Sequence, residues 1–369
     1  MRYRYVKQSD GKTVKKALVY TADEHHINAA SVDKDAVYIV NRLQLQGHES
    51  YIVGGAVRDL MMGKVPKDFD IVTDASPSKI KKVFRNSRII GRRFRLVHVY
   101  FGPKIFEVST FRSLKDGPTS NTYGAIEEDV LRRDFTVNAF FYDPLKELVI
   151  DYVGGMKDIK ARRIRPIIPL DLIFKDDPVR MIRAVKYGAS TGYDLPFSLR
   201  WRIKKDAPLL KNVSPSRLTE EINKIVNSPH AAVIVKKLDS LGLYGYLQYS
   251  AALLFRTKPA FREQYLKGLE VHNGAPEQLP GEALSSLVRD YLESALDWGS
   301  AGPESFKEAL LSARSFVLPM NPPRAEMELA VRLIFREHDI TVRKYRLQNE
   351  NEGKRHRRRR GPARNKAPE

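Results

Sequence analysis

Two periods of apolar residues divide the chain. Between about residues 27 and 152, short strand-like runs alternate with helical spacing. The pattern predicts a helix over 36–46 that ends at Gly47, then a strand over 51–53 stopped by Gly54-Gly55. Helical spacing resumes over 56–62 and stops at Gly63, and a second strand follows at 70–72. Residues 77–84 read as a helix, with proline near the start as helices prefer. Strands over 96–101 and 105–111 are joined through Gly102-Pro103 as a hairpin. A helix over 126–141 and a last strand over 149–153 complete a small mixed α/β unit. Beyond about Lys157 only helical spacing remains, over 177–191, 199–209, 216–227, 231–241, 259–270, 281–296, 304–317 and 324–339, with proline and glycine breaks between. No fixed-period repeat is visible. The expected class is α+β, a mixed-sheet head followed by all-helical domains. The expected boundaries are a basic arm over 1–24, the head over 25–157, helical domains over 158–250 and 251–345, and a tail over 346–369.

Composition narrows this picture. The chain has 369 residues, 42% of them hydrophobic, enough for more than one packed core. There is no cysteine, which excludes disulfides and thiolate metal sites. No apolar run approaches the roughly 20 residues of a membrane helix. The basic N-terminus has no apolar segment of the kind a secretory signal needs, so a soluble cytoplasmic protein is expected. Lys and Arg number 64 against 44 Asp and Glu, a net charge of +20. That excess is either a solvated basic surface or the footprint of a polyanion partner such as nucleic acid. It is also uneven. Residues 353–369 carry eight Lys or Arg against one Glu, a local charge of +7 with no apolar period. This segment, including Arg355, Arg357, Arg358, Arg359 and Arg360, is expected to be a disordered RNA-binding tail. The first 16 residues, with six basic side chains and one acid, read as a weaker basic arm without a core.

The candidate chemistry begins in YIVGGAVRDLMMGKVPKDFDIVTD. Asp68 and Asp70 stand at alternate positions, so on a strand both carboxylates would face one way, about 7 Å apart, with Phe69 turned into the core. Such a pair suits a divalent cation that also binds phosphates, or, more plainly, an acidic turn. Gly54-Gly55 offers backbone N–H groups to an anion with no Cβ in the way, and Arg58 follows one turn later; an ordinary strand-to-helix turn has the same look. Glu107 lies mid-strand, sharing a face with Ser109 and Phe111, and is either ion-paired within the fold or turned toward a metal. In LRRDFTVNAFFY, Asp134 and Asn138 fall four apart, and Arg132 and Arg133 could meet phosphates; a surface helix with polar pairs is the alternative. In FKDDPVRMIRAVKYG, Asp177-Pro178 reads as a helix start, with Asp177, Arg180 and Arg183 in one row and Val179, Ile182 and Val185 in the core. An acceptor and a forked donor there could read a base edge, or simply be a capped, charged helix.

Taken in order, GGAVRD, KDFDIVTD, EVSTFR, RRDFTVNA and DDPVRMIRAVKY resemble the class of nucleotidyltransferases that holds bacterial poly(A) polymerases and CCA-adding tRNA enzymes. The resemblance covers roughly residues 24–247, and the stretches over 89–112 and DYVGGMKDIK, with the Arg-rich tail, are closer to the poly(A) polymerases. It implies a polymerase-β-type head with helical neck and body domains that grip RNA. It implies Asp68, Asp70 and Asp134 as catalytic, and Asp68, Asp70 and Glu107 as ligands of two Mg²⁺ ions, or of Mn²⁺. It further implies nucleotide binding by Gly54, Gly55, Arg58, Asp59, Arg112, Arg133, Asn138, Asp177, Arg180 and Arg183. The implied reaction is attack of an RNA 3′-hydroxyl on the α-phosphate of ATP, with pyrophosphate leaving. RNA 3′ ends, ATP and RNA-decay proteins are the expected partners of a monomer. CCA addition to tRNA and a catalytically inactive RNA-binding module are the alternatives. Two features depart from the family: Asp176 stands where Glu is usual, and the loop over 115–123, expected to close over the site, is short.

Overall fold

The computed structural model describes residues 2–7, 13–91, 96–113, 123–270 and 280–342. Up to Asp151, the β-branched and aromatic runs pair into one sheet of nine strands among the described residues. These are β1 (Arg2–Lys7), β2 (Thr13–Tyr20), β3 (Ser50–Val53), β4 (Asp70–Thr73), β5 (Ser87–Ile90), β6 (Leu96–Phe101), β7 (Lys104–Thr110), β8 (Phe140–Asp143) and β9 (Leu148–Asp151), in the order β1-β2-β9-β8-β3-β4-β7-β6-β5. Every pairing is antiparallel except β4 with β7, whose register sets Ile71 beside Val108 and therefore Asp70 beside Glu107. The hairpin through Gly102-Pro103 forms as expected, Phe101 facing Lys104.

The head helices are α1 (Ala22–His25), α2 (Lys34–Leu45), α3 (Gly55–Met61), α4 (Pro77–Val83) and α5 (Ile126–Arg132). In α2 the buried Ala36, Ile39, Val40 and Leu43 fall at helical spacing, and Asp33 caps the first turn by accepting the Asp35 amide at 2.8 Å. This stripe meets Ile52, Ile71, Val97 and Val108 in the core on one face of the sheet. The opposite face buries Val53, Val72, Phe111, Ile126, Val130 and Phe141, and Asp70, Glu107 and Ser109 share that side by strand alternation.

From Gly155 on, every named element is helical: α6 (Gly155–Lys160), α7 (Ile173–Asp176), α8 (Val179–Thr191), α9 (Phe197–Asp206), α10 (Pro215–Val226), α11 (Ala231–Ser240), α12 (Tyr244–Leu247), α13 (Tyr249–Thr257), α14 (Pro259–Glu270), α15 (Pro280–Ala295), α16 (Phe306–Phe316) and α17 (Arg324–Glu337). One core runs through all of them and begins in the head, at Phe135 and Val137. The joint is tied by Asp158, which is fully buried and accepts from Arg163 at 2.7 Å, Arg165 at 2.8 Å and the Thr136 hydroxyl at 2.8 Å. Gly155 lies so close to the Thr136 carbonyl that a Cβ would sit 2.5 Å from it. Among the described residues, no helix is long and apolar enough to cross a membrane.

Two expectations change. The helix over 126–141 ends at Arg132; Arg133 is extended, Thr136–Asn138 is a single 3-10 turn, and Phe140–Asp143 is a strand paired with β3 and β9. Phe140, Phe141 and Tyr142 are all buried within the sheet's two cores, a placement that a helix could not give three consecutive large side chains. The basic N-terminal arm is a hairpin at the sheet edge, with Ala17 and Tyr20 buried. One of its cations is paired with the sheet: Arg4 donates to Glu49 at 2.8 Å and to the Tyr51 hydroxyl at 3.3 Å. The tail over 353–369 and the loop over 114–122 lie outside the described residues.

Candidate active site

Between the open face of the sheet and helices α8 and α10 lies a cleft of about 750 Å³. Its walls bring together Gly54, Gly55, Arg58, Asp70, Arg112, Arg133, Asp134, Asn138, Asp177, Arg180 and Arg183, residues drawn from five separate sequence motifs. Seven arginines line it against five aspartates, so an anionic ligand would find a net positive wall. Asp59, Asp68 and Glu107 are not on its lining.

The floor is made at the end of β3. Val53 pairs with Asp70, and Gly54 then turns with φ +73°, a conformation that favours glycine; its Cα side faces the Asp70 carboxylate, which a Cβ would approach to 3.8 Å. Asp68 lies just before β4 rather than on it, while Phe69 packs toward the core as its alternation predicts. The Asp70 carboxyl is open to the water of the cleft yet walled by protein. Burial, then the charges of Glu107 and Asp68, push its pKa up to about 6, with Arg133 and Lys224 pulling the other way. Glu107 also stands 3.5 Å from His98 on β6 and keeps about half its side chain exposed.

Arg58 is buried and fixed. Its Nε and Nη2 reach Asp59 Oδ1 at 2.9 and 2.7 Å, and its Nη1 donates to Asn138 Oδ1 at 2.6 Å. Asp59 thus acts on the cleft through Arg58. Asn138 arrives on the 3-10 turn, and Asp134 on the extended segment before it, where its Oδ1 accepts the Phe135 amide at 2.8 Å. The two are neighbours through a loop, not through a helix face. Arg133 is held by Asp129 at 2.9 Å and lies 5.0 Å from the centroid of the Phe141 ring. The Arg112 amide donates to the same Asp129 at 3.3 Å, and burial lowers the Arg112 pKa.

The far wall is α8. Asp177 precedes the helix in extended conformation and accepts the Val179 amide at 3.2 Å, so the helix begins at Val179, two residues later than its sequence suggests. Asp176, the residue that departs from the family pattern, pairs with Arg180 one turn on. Arg180 is buried and also donates to the carbonyls of Ile173 at 3.3 Å and Arg132 at 3.2 Å, which ties α8 to the end of α5. The shorter Asp176 side chain therefore still reaches its arginine. Arg183 and Lys186 share the buried Glu221 of α10, at 3.0 and 2.8 Å. Glu221 stays below the ordinary carboxylate range: burial alone would raise it, but the two cations outweigh that.

Several contributors escaped the sequence reading, among them Asp129, which lines the cleft and holds Arg133. Arg217 of α10 reaches both oxygens of Asp177, at 3.0 and 2.8 Å, from 40 residues away. Glu221 and Lys224 come from the same helix, and no local spacing links them to α8. Tyr187 was legible, because it continues the row of Arg180 and Arg183 by one turn; the Arg58 guanidinium sits 5.7 Å from its ring centroid.

The donor set suits a hard divalent cation. Asp68, Asp70 and Glu107 offer oxygen only, and their mutual repulsion, visible in the raised Asp70 pKa, is what a cation relieves. Among the described residues no three acidic or histidine side chains form a ready cage.

Comparison with known proteins gives the site its context. Residues 50–165 match the family model described as poly A polymerase head domain, and residues 192–252 match the one described as probable RNA and SrmB-binding site of polymerase A. The chain is 40% identical over 242 residues to poly(A) polymerase I of Escherichia coli, which covers 61% of this chain and 52% of that protein. It is 36% identical over 241 residues to the CCA-adding enzyme of Geobacillus kaustophilus, covering 63% and 59%. The chain thus spans little more than half the length of the relatives it matches. A solved CCA-adding enzyme from Bacillus stearothermophilus, in complex with CTP, superposes with a TM-score of 0.56 at 27% identity, over 84% of this chain and 83% of that one. With both domain models matched in series, and with the fold shared with the solved CCA-adding enzyme, the head and the helical region after it are similar to those of the nucleotidyltransferases that include the bacterial poly(A) polymerases and the CCA-adding enzymes.

Proposed function

We propose that this chain adds AMP from ATP to RNA 3′ ends without a template, releasing pyrophosphate. The observation that carries the reading is the arginine-rich cleft, with Asp70 at one end and Asp177, Arg180 and Arg183 at the other. Its volume suits a nucleotide, since small-molecule sites run from about 300 to about 1,000 Å³. The higher identity to poly(A) polymerases than to CCA-adding enzymes supports AMP as the unit added.

Asp68 and Asp70, with Glu107 beside them, would hold divalent cations. Bound there, Mg²⁺ would neutralise phosphate charge and lower the pKa of the attacking hydroxyl. The rest is positioning by the protein. Gly54 leaves room for a triphosphate next to Asp70, and Arg58, Arg112 and Arg133 carry charge for its oxygens. Asp134 and Asn138 offer an acceptor and a two-way amide to a ribose. Asp177 and Arg180 present an acceptor and donors to a base edge that offers an amino group and a ring nitrogen. Adenine and cytosine both satisfy that pattern. The rigid anchoring of Arg180 by Asp176 and two carbonyls, and of Asp177 by Arg217, fixes the spacing between them. In-line attack then needs little covalent chemistry from the protein.

The test is a primer extension with ATP and CTP in competition, followed by sequencing of the products. Homopolymeric A is expected on any accessible 3′ end. Products ending in C-C-A, made only on tRNA, would assign the chain to the alternative activity.

A further inference from the structure

Helix α9, Phe197–Asp206, carries no residue of the cleft, yet its outward face is chemically unusual. Leu199 and Ile203 are buried and hold the helix to the core. On the other side Phe197 is 75% exposed and Trp201, one turn later, is 53% exposed. Large rings left in water on the same side of a helix are uncommon unless they meet a partner. Arg200, Lys204 and Lys205 are exposed around them, and the Lys205 ammonium lies 5.1 Å from the centroid of the Trp201 ring. The helix has one acid, Asp206, which is buried and paired with Arg202 at 2.6 Å. The exposed face is therefore aromatic and cationic with no negative charge.

We propose that this face is a stacking platform for unpaired bases of the RNA substrate, upstream of the 3′ end held in the cleft. Single-stranded nucleic acid is bound by this combination: rings that accept any base, and cations that follow the phosphates. A protein partner would bury the rings equally well, but it would have to supply acidic groups to match three cations. Every stretch of RNA supplies them. The location fits. Arg202 donates to the Asp171 carbonyl at 3.2 Å, just before α7, and α7 ends in Asp176 at the cleft wall. A strand leaving the cleft past α7 would meet α9 next. The proposal rests on the RNA substrate argued above, and it assigns within the matched RNA-binding region the side chains that touch bases.

The chain has two tryptophans, and the second, Trp298, is stacked on His338 with ring centroids 3.8 Å apart. The Trp201 emission is therefore isolated as the difference between the wild type and Trp201→Phe. Titrating the full chain with single-stranded oligo(A) should quench emission, and duplex RNA of equal length should not. The quench should vanish in Trp201→Phe, which keeps a ring and most of the affinity when binding is followed with labelled RNA. Phe197→Ala and Trp201→Ala should each weaken binding by about 5- to 150-fold, since a stacked base is worth about 1–3 kcal/mol. The salt slope should not change with either. Lys204→Ala with Lys205→Ala should instead flatten the slope, by about 0.7 for each phosphate no longer neutralised. The rate at saturating primer and the KM for ATP should stay as in the wild type. Unchanged affinity in both ring variants overturns the proposal and leaves the face to a protein partner; an equal quench by duplex RNA overturns it too. Failure of the wild type to add AMP would refute the activity proposed above, while the binding and quenching measurements would still decide this one.

Discussion

Acid should switch the site off well above the range where carboxylates ordinarily protonate. The Asp70 carboxyl is pushed up to about 6, first by burial, then by Glu107 and Asp68. One unit below that value, at about pH 5, about a tenth of the molecules carry an ionised Asp70; at about pH 7 about nine-tenths do. If the carboxylate is the working form, the rate at about pH 5 and limiting Mg²⁺ should be about a tenth of its neutral plateau. Protons and cations compete for the same oxygens, so raising Mg²⁺ should carry the acid limb to lower pH. Glu107→Gln removes the nearest like charge and should move the limb the same way. Folding responds with the opposite sign. The folded state holds this proton more tightly than the unfolded chain, so Asp70 lowers stability as pH rises from about 4 to about 6, with no further change above. Lost activity at about pH 5 should therefore not come with lost ellipticity. Initial rates of single-nucleotide addition between about pH 5 and about pH 8, with circular dichroism at each point, test this. A profile flat down to about pH 5, or one that Glu107→Gln leaves in place, would refute the electrostatic account of the carboxylate group.

Three further outcomes are expected. Arg180→Ala should damage discrimination of ATP from GTP more than triphosphate binding, and should cost about 1 kcal/mol or more because it removes the donor to the Ile173 and Arg132 carbonyls; equal loss for ATP, CTP and GTP with an unchanged Tm would mark the residue as neither reader nor anchor. Glu221→Gln leaves Arg183 charged without its partner, and Lys186, already lowered by burial, lower still. Its KM for ATP should rise, and stability should fall by about 3 kcal/mol, as read by nucleotide titration and thermal melts. Deleting residues 353–369 removes eight Lys or Arg. If half of them meet phosphates, the log–log salt slope of primer binding should fall by about 3, with single additions at saturating primer unchanged; parallel salt plots for the two forms would show that the tail does not touch RNA.

Much of the layout is legible in the chain itself. The helix over 259–270 matches α14 residue for residue, because Phe261, Tyr265 and Leu269 keep an unbroken buried stripe. The hairpin at Gly102-Pro103 and the strand ended by Gly54 follow from turn chemistry alone. Failures have two causes. In Phe140–Asp143 the sequence keeps polar and apolar residues at spacings compatible with a helix, and only pairing with β3 and β9 decides for a strand. In the N-terminal hairpin, charge suggested a solvated arm, whereas an edge strand tolerates charge and Arg4 finds Glu49 and Tyr51. The site shows the same split. Residues inside a motif were legible, Asp177 with Arg180 above all. Arg217, which lines the cleft, and Glu221 and Lys224, which act on it through Arg183 and Asp70, were not, because only the packing of α10 brings them there.

The central claim is that this cleft joins AMP to an RNA 3′ end. A time course with one labelled oligo-RNA, ATP as sole nucleotide and Mg²⁺, run beside Asp70→Ala, tests it most directly. A ladder of successive additions that grows with time in the wild type, and no product above the input band in the variant, is the predicted result. An unextended primer with the wild type, or a ladder of equal length with Asp70→Ala, would contradict it.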